Sequence, residues 1–265
     1  MRLDVLLVKK GFFSSRELAK SNIAIGNVSV NGIVINKPSH DVLESACISL
    51  KTEKINPYVS RGGIKLEKAL NEFKIDCQGI DVLDLGASTG GFTDCALQHG
   101  ARAVYAIDVG TDQLSPKLKG DQRVISIENV HIKDLTSEHL NNNHFNLIVA
   151  DLSFISLTKV FEYFPQFLNR DGKVIVLIKP QFEAGIKHIG KGGIVKDAKV
   201  HIEAIININN EAKKHRLFLT KITHAPIYEK RKNIEYLALL ERVEKNLPDI
   251  ESCVKEAFRA QITAT

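Results

Sequence analysis

The chain lacks what would make it a membrane-spanning, disulfide-framed or metal-built protein. No wholly apolar run is longer than Val174–Ile178, far short of the ~20 residues that cross a bilayer as a helix. Met1–Lys10 carries Asp4, Lys9 and Lys10 and has no signal-peptide pattern. The four cysteines, Cys47, Cys77, Cys95 and Cys253, are scattered with no Cys-x-x-Cys pair. They read as reduced, mostly packed thiols of a cytoplasmic protein. No His/Cys/Asp cluster has ligand spacing, so no metal is expected. The bulk composition is that of an ordinary globular protein, 44% hydrophobic and 25% charged. Its 265 residues leave room for a domain of roughly 200 residues and a small module. The net charge of +5 is mild, but its distribution is uneven. Residues 1–37 hold Arg2, Lys9, Lys10, Arg16, Lys20 and Lys37 against only Asp4 and Glu17, which suits a polyanionic partner.

Leu3, Leu6 and Leu7 have helical spacing, and Gly11 ends that short helix. Ser14-Ser15-Arg16-Glu17 has the form of a capping box with Ser14 as N-cap, opening a helix that runs to Gly26. Val28 and Val30 alternate into Asn31-Gly32, a two-residue hairpin turn, with Ile33 and Ile35 returning. This module of two helices and a hairpin resembles the S4 RNA-binding domain. The matching residues are Arg2-Leu3-Asp4, Ser15-Arg16 and Ile25-Gly26-x-Val28-x-Val30-Asn31-Gly32. The resemblance implies that Arg2, Lys9, Lys10, Arg16, Lys20 and Asn31 meet folded RNA through phosphates and shape. The polar stretch Lys51–Pro57 reads as a linker, so residues 1–56 are taken as the module with its linker.

From Ile80 onward, β-rich runs alternate with helix-length segments: Val82–Leu85, Ala103–Ile107, Val124–Ile127, Leu147–Ala150 and Val174–Ile178. That pattern predicts an α/β domain with a mostly parallel sheet. Leu217–Thr223 and Glu235–Leu240 are close enough to form a final antiparallel pair, which makes seven strands. The expected domain covers 57–245, leaving 246–265 as a tail with helix-forming capacity. After the first run comes Gly86-Ala87-Ser88-Thr89-Gly90-Gly91-Phe92, a small-residue loop opening a helix. Such a loop brings backbone N–H groups to a nucleotide-like ligand, and the glycines are expected to clear space for it. NAD, FAD and S-adenosylmethionine sites all use this device. Gly86, Ser88, Gly90, Gly91 and Phe92 are the candidate cofactor loop. Asp108, 22 residues beyond Gly86, is placed to accept ribose hydroxyls, and Asp134 to reach an adenine amino group. Asp151 and Lys179 each follow a buried run and are expected at the same sheet edge. A lysine directly after a buried strand needs a carboxylate partner or a task.

Further segments are Ser60-Arg61-Gly62-Gly63-Ile64-Lys65-Leu66, Ala150-Asp151-Leu152-Ser153-Phe154, Ile178-Lys179-Pro180-Gln181-Phe182-Glu183 and Asn233-Ile234-Glu235-Tyr236. In this order they closely resemble the TlyA family, an S4 domain fused to an FtsJ/RrmJ-like methyltransferase domain with a Rossmann-like fold. The resemblance spans roughly residues 1–245. It implies ribosomal RNA ribose 2′-O-methylation, on cytidine, with S-adenosylmethionine as donor. It also implies a catalytic Lys-Asp-Lys-Glu tetrad at Lys65, Asp151, Lys179 and Glu235. The chain has neither an Asn/Asp-Pro-Pro-aromatic motif nor a Pro-Cys nucleophile, which argues against methylation of a base. One departure is the bulky basic stretch Tyr228–Lys232 where the family usually carries glycines. The competing readings are a non-catalytic RNA-binding ribosome-assembly factor, a dehydrogenase, and a membrane-acting haemolysin. Intact tetrad residues oppose the first. The last has no membrane span or obvious insertion helix behind it.

Overall fold

The computed structural model describes residues 1–13, 15–50, 56–190, 192–228 and 232–264. The amino-terminal module contains helix α1, Leu3–Lys9, and helix α2, Arg16–Ala24. Leu3, Leu6, Leu7, Ala19 and Ile23 form their shared core. The expected cap, Ser14, lies outside the described residues. The N-cap of α2 is Ser15, whose hydroxyl accepts the Leu18 N–H at 3.1 Å. Glu17 therefore falls one position too early to complete a capping box. Strand β1, Val28–Val30, turns through Asn31 (φ 50°) and Gly32 (φ 80°) into β2, Ile33–Val34. A third strand, β3, Ile48–Leu50, pairs antiparallel with the other side of β1, so the module holds a small sheet rather than a lone hairpin.

Of the expected linker, residues 51–55 lie outside the described residues. Asn56, which follows them, is buried. Its N–H donates to Asn22 Oδ1 at 2.8 Å, and its side-chain amide donates to the Ser21 hydroxyl. Asn27 donates to the same Asn22 oxygen at 3.0 Å. The start of the second domain is thus hydrogen-bonded to α2.

The larger domain is built on strands β4 (Asp81–Leu85), β5 (Ala103–Ile107), β6 (Val124–Ile127), β7 (Phe145–Ala150), β8 (Leu168–Ile178), β9 (Phe218–His224) and β10 (Tyr236–Glu241). Their spatial order is β6-β5-β4-β7-β8-β10-β9. The first five pair in parallel, and β10 runs antiparallel to both its neighbours. This is the mostly parallel seven-stranded sheet with a final antiparallel pair that the run pattern anticipated, in the Rossmann-like arrangement that the resemblance implied. Alternation divides each strand between two cores. Val82, Leu147 and Val149 join one, with helices α3 (Arg61–Phe73) and α4 (Gly91–Gln98). Leu83, Leu85, Ile148 and Ala150 join the other, with α8 (Ala198–Lys214) and α9 (Ile250–Thr263). Two short helices, α5 (Pro116–Lys119) and α6 (Phe164–Phe167), complete the two layers; a third, α7 (Pro180–Glu183), follows β8. Helix α9 seats Ile250, Cys253, Val254 and Ala257 in the second core, so the carboxy-terminal segment is part of the packed domain.

Strand order reverses beside β4: its chain neighbour β5 lies on one side and β7 on the other. Open α/β sheets bind ligands outside the carboxyl ends of their strands at such a switch point.

Candidate active site

Two helix starts meet at that edge. α3 opens with Arg61-Gly62-Gly63, and α4 opens with Gly91 directly after Gly90. A Cβ on Gly91 would lie 2.1 Å from Ser60 Oγ and 2.9 Å from the Gly63 nitrogen; one on Gly63 would strike the Tyr58 ring at 2.2 Å. A Cβ on Gly90 (φ 92°) would meet Leu118 at 2.2 Å, and one on Gly86 (φ 82°) the Asp151 carbonyl at 2.8 Å. The glycines thus also clear protein against protein, letting the helices and β7 close around the loop.

The close approach of α3 brings Lys65, one turn into the helix, to Glu235 at the head of β10. Lys65 Nζ donates to Glu235 Oε2 at 2.6 Å. The ladder pairs Tyr236 with Ile178, which sets Glu235 beside Lys179 at the same edge. Lys179 Nζ lies 2.6 Å from Asp151 Oδ1 and donates to Ser153 Oγ at 2.7 Å. The ion pair is close in distance, yet Oδ1 accepts no properly aimed hydrogen bond among the described residues. The Lys179 side chain is only 10% exposed. A cation so enclosed persists because the carboxylate and hydroxyl replace its water.

Two adjoining hollows border Asp151 and Ser153, and Lys179 lines the smaller; Lys65 and Glu235 line neither. A cleft of about 1140 Å³ is lined by Gly86, Ser88, Ile107, Asp108, Ile132 and Asp151, among others. A smaller hollow of about 180 Å³ reaches Ser60, Gly91, Phe92, Asp151 and Lys179. Gly86, Ser88, Asp151 and Ser153 border both. Gly90 and Asp134, from the expected cofactor set, line neither; His131 and Ile132 line the larger cleft from the Asp134 segment. The Asp108 carboxylate takes the Ser88 N–H at 2.7 Å on one oxygen and the Gly110 N–H at 2.7 Å on the other. Those bonds hold the glycine loop against the end of β5 and fix an acceptor at the cleft.

Several participants were not singled out from the sequence. Ser153 was part of a quoted motif without a role. Phe154 is 92% exposed with φ 62°, and its ring lies 5.3 Å from that of Phe182 at the cleft wall. A large apolar ring held out in a left-handed conformation is uncommon. Asp84 is fully buried beneath the loop and accepts the Thr93 hydroxyl at 2.6 Å. Burial raises its carboxyl most, Thr93 holds it back, and the charges of Asp151 and Asp108 push further, to about 7. The only advance signal was an acid inside an otherwise apolar strand.

The expected RNA-contacting residues divide by partner. Arg2 and Arg16 both bind the buried Asp4 carboxylate, Arg2 at 3.0 and 3.1 Å and Arg16 at 2.9 Å. Lys9 pairs with Glu44 at 3.0 Å, and Lys10 donates to the Ala46 carbonyl at 3.2 Å. Lys20 is half-buried on α2. Asn31 spends its side-chain oxygen on the Cys47 N–H at 3.0 Å, which fixes the turn. Among the described residues there is no group of His, Cys, Asp and Glu able to hold a metal ion, and no helix is long and apolar enough to cross a membrane.

Comparison with known proteins matches residues 58–242 to the FtsJ-like methyltransferase family and residues 1–46 to the S4 domain. Hemolysin A of Brachyspira hyodysenteriae is 42% identical over 90% of this chain and 98% of its own. The 16S/23S rRNA (cytidine-2′-O)-methyltransferase TlyA of Mycobacterium tuberculosis (strain ATCC 25618 / H37Rv) is 36% identical over 90% of this chain and 89% of its own. A solved structure described as a candidate hemolysin from Streptococcus thermophilus superposes with a TM-score of 0.77 at 38% identity, covering 98% of this chain and 96% of that one.

Proposed function

The chain belongs to the FtsJ-like methyltransferase family, and from that premise we propose that it transfers a methyl group from S-adenosylmethionine to a ribose 2′-oxygen of ribosomal RNA, on cytidine, in the cytoplasm. The observation that carries this reading is the Lys179–Asp151 ion pair, whose Asp151 borders a nucleotide-sized cleft, with the Lys65–Glu235 pair beside it at the same sheet edge. The cleft suits the donor. Asp108 offers a fixed carboxylate for ribose hydroxyls, Ile107, Val109 and Ile132 offer an apolar shelf, and Gly86 and Ser88 bring backbone to the boundary of both hollows. When bound, S-adenosylmethionine supplies an electrophilic methyl group and leaves as its thioether.

The chain's own groups must then handle the proton. A ribose 2′-hydroxyl is a poor nucleophile near neutral pH. Lys179 is the central residue, taking the hydroxyl proton at Nζ as the bond from the ribose oxygen to the methyl carbon forms and the carbon–sulfur bond breaks. Asp151 and Ser153 aim the Lys179 nitrogen, and Lys65 with Glu235 closes the opposite side. General-base assistance of this kind contributes about 10²–10⁴ in rate. Much of the remainder comes from holding the oxygen in line with the transferred carbon. Phe154, exposed beside the site, offers a ring on which the target base can stack. The basic module, residues 1–56, holds the RNA through phosphates, and residues 57–245 carry the chemistry.

The test is incubation with tritiated S-adenosylmethionine and unmodified 30S or 50S subunits, beside a Lys179→Ala control. Label in RNA that disappears in the control supports the reading and identifies the subunit. Absence of label on either subunit, with S-adenosylmethionine still bound, would overturn the ribosomal assignment.

A further inference from the structure

Glu235 stands just outside the sheet, one residue before β10 begins at Tyr236. Its backbone carbonyl accepts the Ala225 N–H at 2.8 Å, which ties it on the β9 side. On the other side the ladder register brings Lys179, one residue past the end of β8. Two residues before Glu235, the side-chain amide of Asn233 takes the place of a peptide group: its oxygen accepts the Val195 N–H at 3.1 Å, and its nitrogen donates to the Gly193 carbonyl at 2.8 Å. The same short segment is gripped a second time. His201 Nε2 lies 3.0 Å from the Val195 carbonyl, and Nδ1 lies 2.8 Å from the Tyr236 hydroxyl. A carbonyl can only accept, so Nε2 carries the hydrogen, and a neutral ring then accepts the tyrosine hydroxyl at Nδ1.

This arrangement is fully enclosed. His201 and Tyr236 are both 0% exposed, and the imidazole meets Tyr236 and Phe258 of α9 edge-on, at 5.7 and 5.0 Å between ring centres. Burial also lowers the His201 pKa, in keeping with the neutral ring that the geometry requires. Two hydrogen bonds thus join residues 193–195 to Asn233, two residues before Glu235, and two more run from Val195 through His201 to Tyr236, the residue after it.

We propose that Asn233, His201 and Tyr236 form a latch that positions Glu235 against Lys65, making them positioning residues for methyl transfer. The inference rests on the reading of Lys65 and Glu235 as part of the active site. Loss of one tie lets the Glu235 backbone shift without removing any group that touches substrate. Misplacement of about 1 Å is enough to cost up to 10²-fold in rate.

The decisive variants are Tyr236→Phe, which deletes one hydroxyl, and Asn233→Ala, with Asn233→Asp keeping only the acceptor toward Val195. Each is compared with wild type for kcat, for S-adenosylmethionine dissociation constant by calorimetry, and for the rate of tryptic cleavage at the exposed Lys196, with thermal melts as folding controls. The expected result is a fall in kcat of about tenfold for Tyr236→Phe and Asn233→Ala, a smaller fall for Asn233→Asp, and donor affinity within about twofold. Cleavage at Lys196 accelerates in the same order. A kcat within about twofold of wild type in folded Tyr236→Phe and Asn233→Ala would overturn the latch. If wild type itself labels no ribosomal RNA, the functional reading fails separately. The latch then stands on the Lys196 cleavage rates, and unchanged rates overturn it.

Discussion

In the amino-terminal module, Arg2, Lys9 and Arg16 each meet a carboxylate while 47%, 56% and 48% of their side chains remain exposed. At the sheet edge beside the cleft, Lys65 and Lys179 also meet carboxylates, but at 22% and 10% exposure. The same pairing serves different ends because water is available in one region and largely excluded from the other. Lys9 can turn from exposed Glu44 to an RNA phosphate at little cost, since a surface ion pair contributes only about 0–1 kcal/mol, whereas Arg2 and Arg16 are tied to the buried Asp4 carboxylate. A cation at the sheet edge has less freedom. On the proposed function, its carboxylate holds the amine aimed at one atom. On that reading the module's cations serve affinity, and those at the sheet edge serve rate.

The largest break in this contrast should come from Lys179. Lys179→Ala is expected to lower methyl transfer by about 10²–10⁴ while S-adenosylmethionine binding, measured by calorimetry, persists. Lys179→Arg should not rescue it, because a guanidinium keeps its protons throughout the accessible pH range. A variant within tenfold of wild type would place the chemistry elsewhere.

A smaller effect is expected in the module. Lys9→Ala should weaken RNA binding in filter or fluorescence titrations and reduce the log–log salt slope by about 0.7–0.9, the signature of one lost phosphate contact. It should leave kcat and the melting temperature unchanged. Arg16→Ala should weaken RNA binding similarly, but it also strips one of two partners from buried Asp4 and should lower the melting temperature. Equal stability of the two variants would contradict the distinction drawn between them.

The mildest test uses pH and two fully buried aspartates, Asp4 and Asp84. Burial alone would raise Asp4, yet the hydrogen bonds and charges of Arg2 and Arg16 prevail and hold it at about 2, below its ordinary 3.8. Its contribution is full above pH 3.8 and is lost as pH falls toward 2. Asp84 has no cation partner among the described residues and is raised by burial from 3.8 to about 7. The folded state then binds the proton more tightly than the unfolded one, so stability falls as pH rises through that interval. Melting curves against pH should show Asp84→Asn flattening the upper interval and gaining stability over wild type at alkaline pH. No gain there would mean that Asp84 is carried as an ordinary carboxylate.

The parallel sheet was legible in the sequence because buried strands are nearly continuous apolar runs bounded by turn residues. Its details were less so. Strand β8 begins at Leu168, well before Val174, because its first half is partly exposed and includes Gly172. Strand β3 was missed for a similar reason: Ile48–Leu50 is too short and too exposed to show a period. The glycines announced a close approach correctly in kind, but not that helix α3 and β7 would fill it. Lys65, Asp151, Lys179 and Glu235 were named through resemblance, whereas Ser153, Asn233 and His201 act through side-chain bonds to segments remote in sequence. No local pattern encodes those partners. Asp134 followed from an analogy with adenine sites and lies on an exposed 3₁₀ turn.

The most direct test of the central claim is to digest enzyme-methylated ribosomal RNA to nucleosides and locate the new methyl group by mass spectrometry. The account predicts a 2′-O-methylcytidine produced by wild type and absent with Lys179→Ala. A methyl group on the base, or a 2′-O-methyl group that survives loss of Lys179, would contradict it.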